Sequence, residues 1–223
     1  MKKLAFITLL GLTFSAAGAA AFDSRPACET VAGATATNRE MAWDGSDRVG
    51  LSIGGQATYT RGSDDKVHAS GEPQLLAHLQ VHDGEIRLDC TGGHFDTSHL
   101  EITLPGREFK AFAIAGTGNI DLRKLDQQSI HVSIAGKGSI KGEGKVADTH
   151  ISIAGSGNVD LGQVANETTK VSIAGHGDAD IAPLQEADVS IVGSGDVNLH
   201  TNPGKVESRI LGSGHVRNVA SGG

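Results

Sequence analysis

Aromatic side chains are scarce in this chain of 223 residues: Trp43, Tyr59 and six phenylalanines make up 4 % of it, and none follows Phe112. Carbohydrate-processing clefts lean on exposed rings for stacking. A polysaccharide-active enzyme, the natural catalytic alternative for a β-rich repeat protein, therefore lacks its usual working surface in the second half. Cysteine is nearly absent as well. Cys28 and Cys90 are the only two, and without a C-x-x-C spacing they make neither a dithiol redox centre nor a zinc site. In an oxidising compartment an even pair reads as a disulfide, whose loop of roughly 60 residues would stabilise the fold by about 4 kcal/mol on the chain-entropy model. Two separate buried thiols are the alternative. Basic charge is in deficit: 19 Lys and Arg stand against 26 Asp and Glu, a formal net charge of −7. Nucleic acid and anionic lipid both require a basic patch, so neither is an expected partner.

Long apolar runs are missing except at the start. Met1-Lys2-Lys3, an apolar stretch of 11 residues from Leu4 to Phe14, and small residues from Ser15 to Ala21 form the three zones of a secretory signal peptide. The stretch falls short of the roughly 20 helical residues that cross a bilayer, and no second apolar span exists. Residues 1–21 are thus expected to be removed, leaving 202 residues with 17 basic and 26 acidic side chains, a net charge of −9. Arg25-Pro26-Ala27 before Cys28 lacks the aliphatic residue of a lipoprotein processing site. The expected location is extracytoplasmic: periplasm, cell surface or medium.

What the chain has in abundance is glycine, and most of it is periodic. Six segments align without a gap, starting at Ile114, Ile134, Ile153, Ile173, Ile191 and Ile210. Ile153-Ala-Gly-Ser-Gly-Asn-Val-Asp-Leu161 is typical, and successive starts lie 20, 19, 20, 18 and 19 residues apart. Before the glycines, apolar and small polar residues alternate, as in Val171-Ser172-Ile173, the period of a half-buried strand. Gly-x-Gly then supplies two positions that can take φ > 0 or admit a close backbone, so the chain can turn a corner. A second alternation follows, as in Val159-Asp160-Leu161. One such unit cannot bury its apolar edge, but stacked copies bury a continuous column. The expected fold is all-β, a β-solenoid of about six coils of ~19 residues, with an up-and-down sheet or barrel as the alternative.

The preceding part is less regular and still β. Leu75 to Cys90 reads as a hairpin about Asp83-Gly84, a type I′ pair, which sets Val81 opposite Ile86, Leu79 opposite Leu88, His82 opposite Glu85 and Gln80 opposite Arg87. Leu51-Ser-Ile-Gly-Gly55 is a degraded copy of the repeat, and Leu100 to Pro105 is a further alternating strand. Solenoid ends expose unpaired backbone, so residues 22–110 are expected to form an irregular β segment that caps a repeat domain at 111–223, with the C-terminal end thinly covered.

A β-rich lead from Met41 to Cys90, a strand ending at Leu104-Pro105, and then I-A-G-x-G-x-[VI]-D-L units together resemble the putative auto-transporter adhesin, head GIN domain family over residues 40–200. The resemblance implies a right-handed β-solenoid in an exported bacterial protein with an adhesive role. It assigns no functional residues.

G-S-G-N-V-D-L is similar to the calcium nonapeptide of β-rolls, which needs six to eight oxygen ligands. Here the motif occurs once per coil, and Lys141, Asn198 and Arg217 interrupt the aspartate column. The ten histidines are scattered and read as exposed; His78 and His82 are expected on one strand face, about 13 Å apart. Gly-x-Gly is followed by strands, not by the helix that a nucleotide fingerprint needs. Ser156, Ser194 and Ser213 sit outside any nucleophile elbow.

The chain thus reads as an exported, non-catalytic cell-envelope module for binding, adhesion or structure, without a cofactor or metal. The alternatives are a polysaccharide-active β-helix enzyme and a calcium-binding β-roll-like module. Because the invariant repeat residues have packing reasons, the outward pairs Asn119 and Asp121, Asn158 and Asp160, and Asp178 and Asp180 form the candidate binding face. The partner would be an envelope or surface ligand, protein or glycan, and the open solenoid end could associate with a second copy.

Overall fold

The computed structural model describes residues 25–220; the signal peptide expected at 1–21 lies outside the described residues. The leading half holds β1 (Asn38–Ala42), β2 (Arg48–Leu51), β3 (Gln56–Thr60), β4 (Lys66–Ser70), helix α1 (Pro73–His78), β5 (Leu79–His82), β6 (Glu85–Leu88) and β7 (Glu101–Thr103). The repeats form β8 (Ala111–Gly116), β9 (Asn119–Gly136), β10 (Ser139–Gly155), β11 (Asn158–Gly175), β12 (Asp178–Gly193), β13 (Asp196–Leu199), β14 (Lys205–Gly212) and β15 (His215–Asn218). All 15 strands join one sheet system.

The repeats stack as parallel coils, each strand pairing with its equivalent in the next turn. The fold is therefore the β-solenoid expected from the phase of the repeats. Six Gly-x-Gly corners bound five complete coils, because each coil runs from one corner to the next.

Alternation decides which side chains fill the interior. Phe112, Val132, Ile151, Val171 and Val189 stand one above another, as do Ile114, Ile134, Ile153, Ile173 and Ile191, and every one is at most 3 % exposed. Ser133, Ser152, Ser172 and Ser190, between these columns in sequence, align on the outside. After the corner, Ile120, Ile140, Val159, Ala179 and Val197 form a third buried column. Each interior Val or Ile withdrawn from water contributes roughly 1.5–3 kcal/mol.

Both glycines of a corner leave no room for a side chain, a Cβ at Gly175 falling 2.2 Å from the Gly155 carbonyl oxygen, and the first is fixed by its conformation as well. Gly175 has φ = 131°, a conformation that strains any L side chain. Gly177 is needed for space, since a Cβ there would lie 2.3 Å from the Gly157 carbonyl oxygen. Irregularity falls on the arc that closes the coil: the register slips between Lys141 and Glu143 against β11, between Gly142 and Gly144 against β9, and between Leu161 and Asn166 and between Asn166 and Thr168 against β12.

The leading half feeds directly into this stack. β2 pairs parallel with β8 (Leu51 with Ile114), and β3 with the start of β9 (Gln56 with Asn119). Beneath them, β6 adds parallel to β2 and β7 to β3. β4 then runs antiparallel to β7, β1 antiparallel to β4, and β5 antiparallel to β6. Tyr59, Phe109 and Phe112 are fully buried here with ring centroids 5.2–5.8 Å apart. Trp43 packs against Phe109 at 5.2 Å.

The hairpin has the anticipated register, Leu79 with Leu88 and Val81 with Ile86, and φ is positive at both Asp83 and Gly84. Its first arm is shorter than expected. Pro73 occupies the first helical turn, where its fixed φ is pre-organised, and residues 73–78 form a helix that buries Leu75 and Leu76. His78 therefore ends a helix and does not share a strand with His82.

Cys28 and Cys90 are bonded, with Cα atoms 4.8 Å apart. The link ties the first described residues to the end of the hairpin, beside the parallel bridge of Ala27 and Thr91.

Candidate binding face

The six candidate residues lie on the strands that follow the corners, in two vertical ladders. One starts each strand: Gln56, Asn119, Ser139, Asn158, Asp178, then Asp196 and His215. The second stands two residues on: Thr58, Asp121, Lys141, Asp160, Asp180, Asn198 and Arg217. Parallel in-register pairing places neighbouring rungs about 4.8 Å apart, so the six do share one face.

They are not equivalent. In the first ladder the side chains clasp consecutive coils. Asn158 Oδ1 accepts the backbone N–H of Asp178 at 3.2 Å, Asp178 Oδ1 that of Asp196 at 2.8 Å, and Asp196 Oδ1 that of His215 at 2.9 Å. These strand-starting amides would otherwise lack a backbone acceptor at the turn. Asn158 and Asp178 are thus already engaged by the scaffold. At Asp196 burial pushes the carboxyl upward, but the His215 ring and N–H, with the Arg217 guanidinium, outweigh it and hold the group below the usual carboxylate range.

The second ladder pairs along its face. Asp121 Oδ2 receives both Nε and Nη2 of Arg123, at 2.9 and 2.7 Å. Asp180 Oδ1 accepts from Asn198 Nδ2 at 3.2 Å and lies 2.8 Å from His200 Nε2. Asp160 accepts the N–H of Gly162 at 3.3 Å. Lys141 stands between Asp121 and Asp160 in register, which separates the carboxylates that a shared calcium ion would need.

One part of this face is concave. A groove of about 450 Å³ is lined by Gln56, Thr58, Asn119, Ile120, Asp121, Arg123, Ser139 and Lys141. The structure thus gathers Asn119 and Asp121 of the six candidates around a hollow, with Asn158 and Asp160 one rung beyond Ser139 and Lys141. Gln56 and Thr58 come from the leading half and were not anticipated, although the degraded repeat before them, Leu51 to Gly55, carried the signal that would have placed Gln56 beside Asn119.

His78 was also misread as exposed. It is 8 % exposed, with Nδ1 2.9 Å from Asp89 and Nε2 2.8 Å from the Glu29 carbonyl. Burial lowers its pKa, but the Glu29 carbonyl and the Asp89 carboxylate more than offset this, and the net shift is upward. Among the described residues, His78, Asp89 and Cys90 are the one group close enough to share a metal ion. Its sulfur is in the disulfide, and both ring nitrogens of its histidine are hydrogen-bonded.

Parallel coils of this length, entered through an irregular β lead, have counterparts. The model of the family described as putative auto-transporter adhesin, head GIN domain, matches residues 83–203, more than half of the 223 residues. The chain belongs to this family. Among solved structures it is similar to a putative adhesin from Bacteroides fragilis, with TM-score 0.67, 19 % identity, and 82 % of this chain and 96 % of that one covered. A putative adhesin from Parabacteroides distasonis gives TM-score 0.51 at 17 % identity with the same coverage. A putative lipid binding protein from the same organism gives 0.49 at 18 %. The first two likenesses establish the fold. No curated protein matches the chain.

Proposed function

We propose that the chain is an exported cell-envelope module that binds a surface ligand without turning it over, and that the ligand seats in the groove between Gln56 and Lys141. The observation that carries this is the groove itself. It is the hollow of the post-corner face where Arg123, Lys141 and Asp121 offer both charge signs beside Asn119, Gln56, Thr58 and Ser139. Its position on a rigid stack, and the adhesin names of the relatives, support a role in holding and not in processing.

No ring lines the groove, and Tyr59, Phe109 and Phe112 are spent on the core. That favours a polar protein surface over a sugar stacked on its flat face. On this reading residues 1–21 direct export, 22–110 cap the rod, and 111–223 carry the repeats.

The test is a peptide and glycan array probed with the mature chain and with an Arg123→Glu/Lys141→Glu variant. Binding should fall at least about tenfold in the variant, the loss of one or two charge-assisted contacts, with an unchanged melting temperature. Equal binding by the variant would move the ligand off the groove. Release of sugar ends from any polysaccharide would overturn the non-catalytic reading.

A further inference from the structure

The last coil has no strand or helix laid over it among the described residues. Among the described residues β14 pairs with β12 alone and β15 with β13 alone. Val206, Ile210 and Leu211 are 44 %, 41 % and 73 % exposed, although Val206 and Ile210 stand in register above Ala187 and Ile191, both fully buried. Ser208 takes the place that Val132, Ile151, Val171 and Val189 fill below it.

The free edge can be read residue by residue. In this column the outward residue donates back to the preceding coil, as His131 N–H does to the Lys110 carbonyl at 2.8 Å. Glu207 holds the equivalent register position. Backbone groups alternate sides along a strand, so those of Val206, Ser208 and Ile210 face the open edge.

We propose that this edge binds a second copy of the chain, the two β14 strands adding antiparallel about a two-fold axis at Ser208. An antiparallel pair that continues one sheet keeps inward residues opposite inward ones, so the axis must pass through a residue and not between two. An axis at Glu207 sets two carboxylates against each other, and one at Arg209 sets two guanidiniums together. Only the axis between them, at Ser208, sets Glu207 opposite the partner's Arg209, twice. It also sets Val206 opposite the partner's Ile210, which continues the buried column, and turns the edge groups of Val206, Ser208 and Ile210 toward each other as hydrogen-bonded pairs. Such a contact is isologous and closes at two subunits. The charges are exposed for it: Arg209 and Glu207 are 67 % and 43 % exposed, and their present partners, each other at 3.3 Å together with Asp188 and Lys205, all lie on the outer face, where the pairs can be exchanged for the partner's. The proposal is independent of the groove.

The experiment is sedimentation velocity on the mature chain from low to high micromolar concentration, with Glu207→Arg, Arg209→Glu and an equimolar mixture of the two variants. The wild type should dimerise, and each single variant, placing like charges across both pairs, should weaken the dimer by about tenfold or more. The mixture should restore it, because every cross-strand pair is again opposite in sign. Circular dichroism and melting curves confirm that the variants are folded. A wild type that stays monomeric, a dimer indifferent to both reversals, or a mixture that fails to recover would each overturn the proposal.

Discussion

The two halves of the rod hold themselves together in different ways. From Ala111 onward each coil leans only on its neighbours, through in-register parallel ladders, repeated Ile and Val columns, and corners closed by glycine. The leading half has no repeat to lean on. Its strands pair out of sequence order and partly antiparallel, and distant segments are pinned by a disulfide, an aromatic cluster and side chains bonded to remote carbonyls, such as Arg39 to Ala77 and Tyr59 to Arg107. Repetition lets many weak identical contacts add up; an irregular half must close long loops, each with an entropic cost.

The sharpest way to break this contrast is to remove the staple. A Cys28→Ser/Cys90→Ser variant, whose cysteines lie 62 residues apart, should lose about 4 kcal/mol in denaturant unfolding on the chain-entropy model. Amide exchange should show the lost protection in residues 25–110. Uniform loss through β10 and β11 would mean that the halves unfold as one unit.

Next come the glycines. Gly177→Ala would push a methyl into the coil below and should cost about 3 kcal/mol, the upper end for overpacking. Gly92→Ala, at a turn with φ = 77° and open space around it, should cost about 1 kcal/mol. Equal losses, measured by chemical denaturation, would show that stacking distance does not set the corner.

On the outer face, Asp178→Ala should cost about 1 kcal/mol through its lost bond to the Asp196 amide. Asp121→Asn, which disturbs only an exposed ion pair, should cost less than about 0.5 kcal/mol. The same melts would expose a reversed order.

The smallest effect concerns pH. The pKa of His78 is raised above 6.5 in the folded chain, so its imidazolium stabilises the leading half fully below about pH 6.5, and that contribution is lost as pH climbs through the raised value. Amide protection of residues 25–95 should decline over that window. His78→Asn should flatten the decline, while protection of the repeats stays level in both proteins.

The repeats were legible because a period of 18–20 residues states both where the chain turns and which side chains meet. The hairpin at Asp83-Gly84 was legible because turn chemistry fixes register. Neither signal says which rung lies under which. The degraded repeat at Leu51 to Gly55 carries the signal that sets β2 and β3 beneath β8 and β9, but that β6 and β7 lie lower still depends on pairings no local pattern encodes. Helix α1 escaped because six residues hold less than two turns of periodicity. On the post-corner face, alternation placed all six candidates outward, but it could not show that Asn158 and Asp178 bend back onto backbone amides while Asn119 and Asp121 border a hollow.

The register slips on one arc of the coils, at Leu122–Leu125, Lys141–Gly144 and Leu161–Thr168, work as an expansion joint. Coils of 18, 19 and 20 residues coexist, and the surplus residue is shed there while the corner and its columns stay in step. Insertions on that side should be tolerated singly, whereas one at an Ile-Ala-Gly corner would turn every later side chain to the opposite face. The rod can thus change length and dress on one flank without its spine registering the difference.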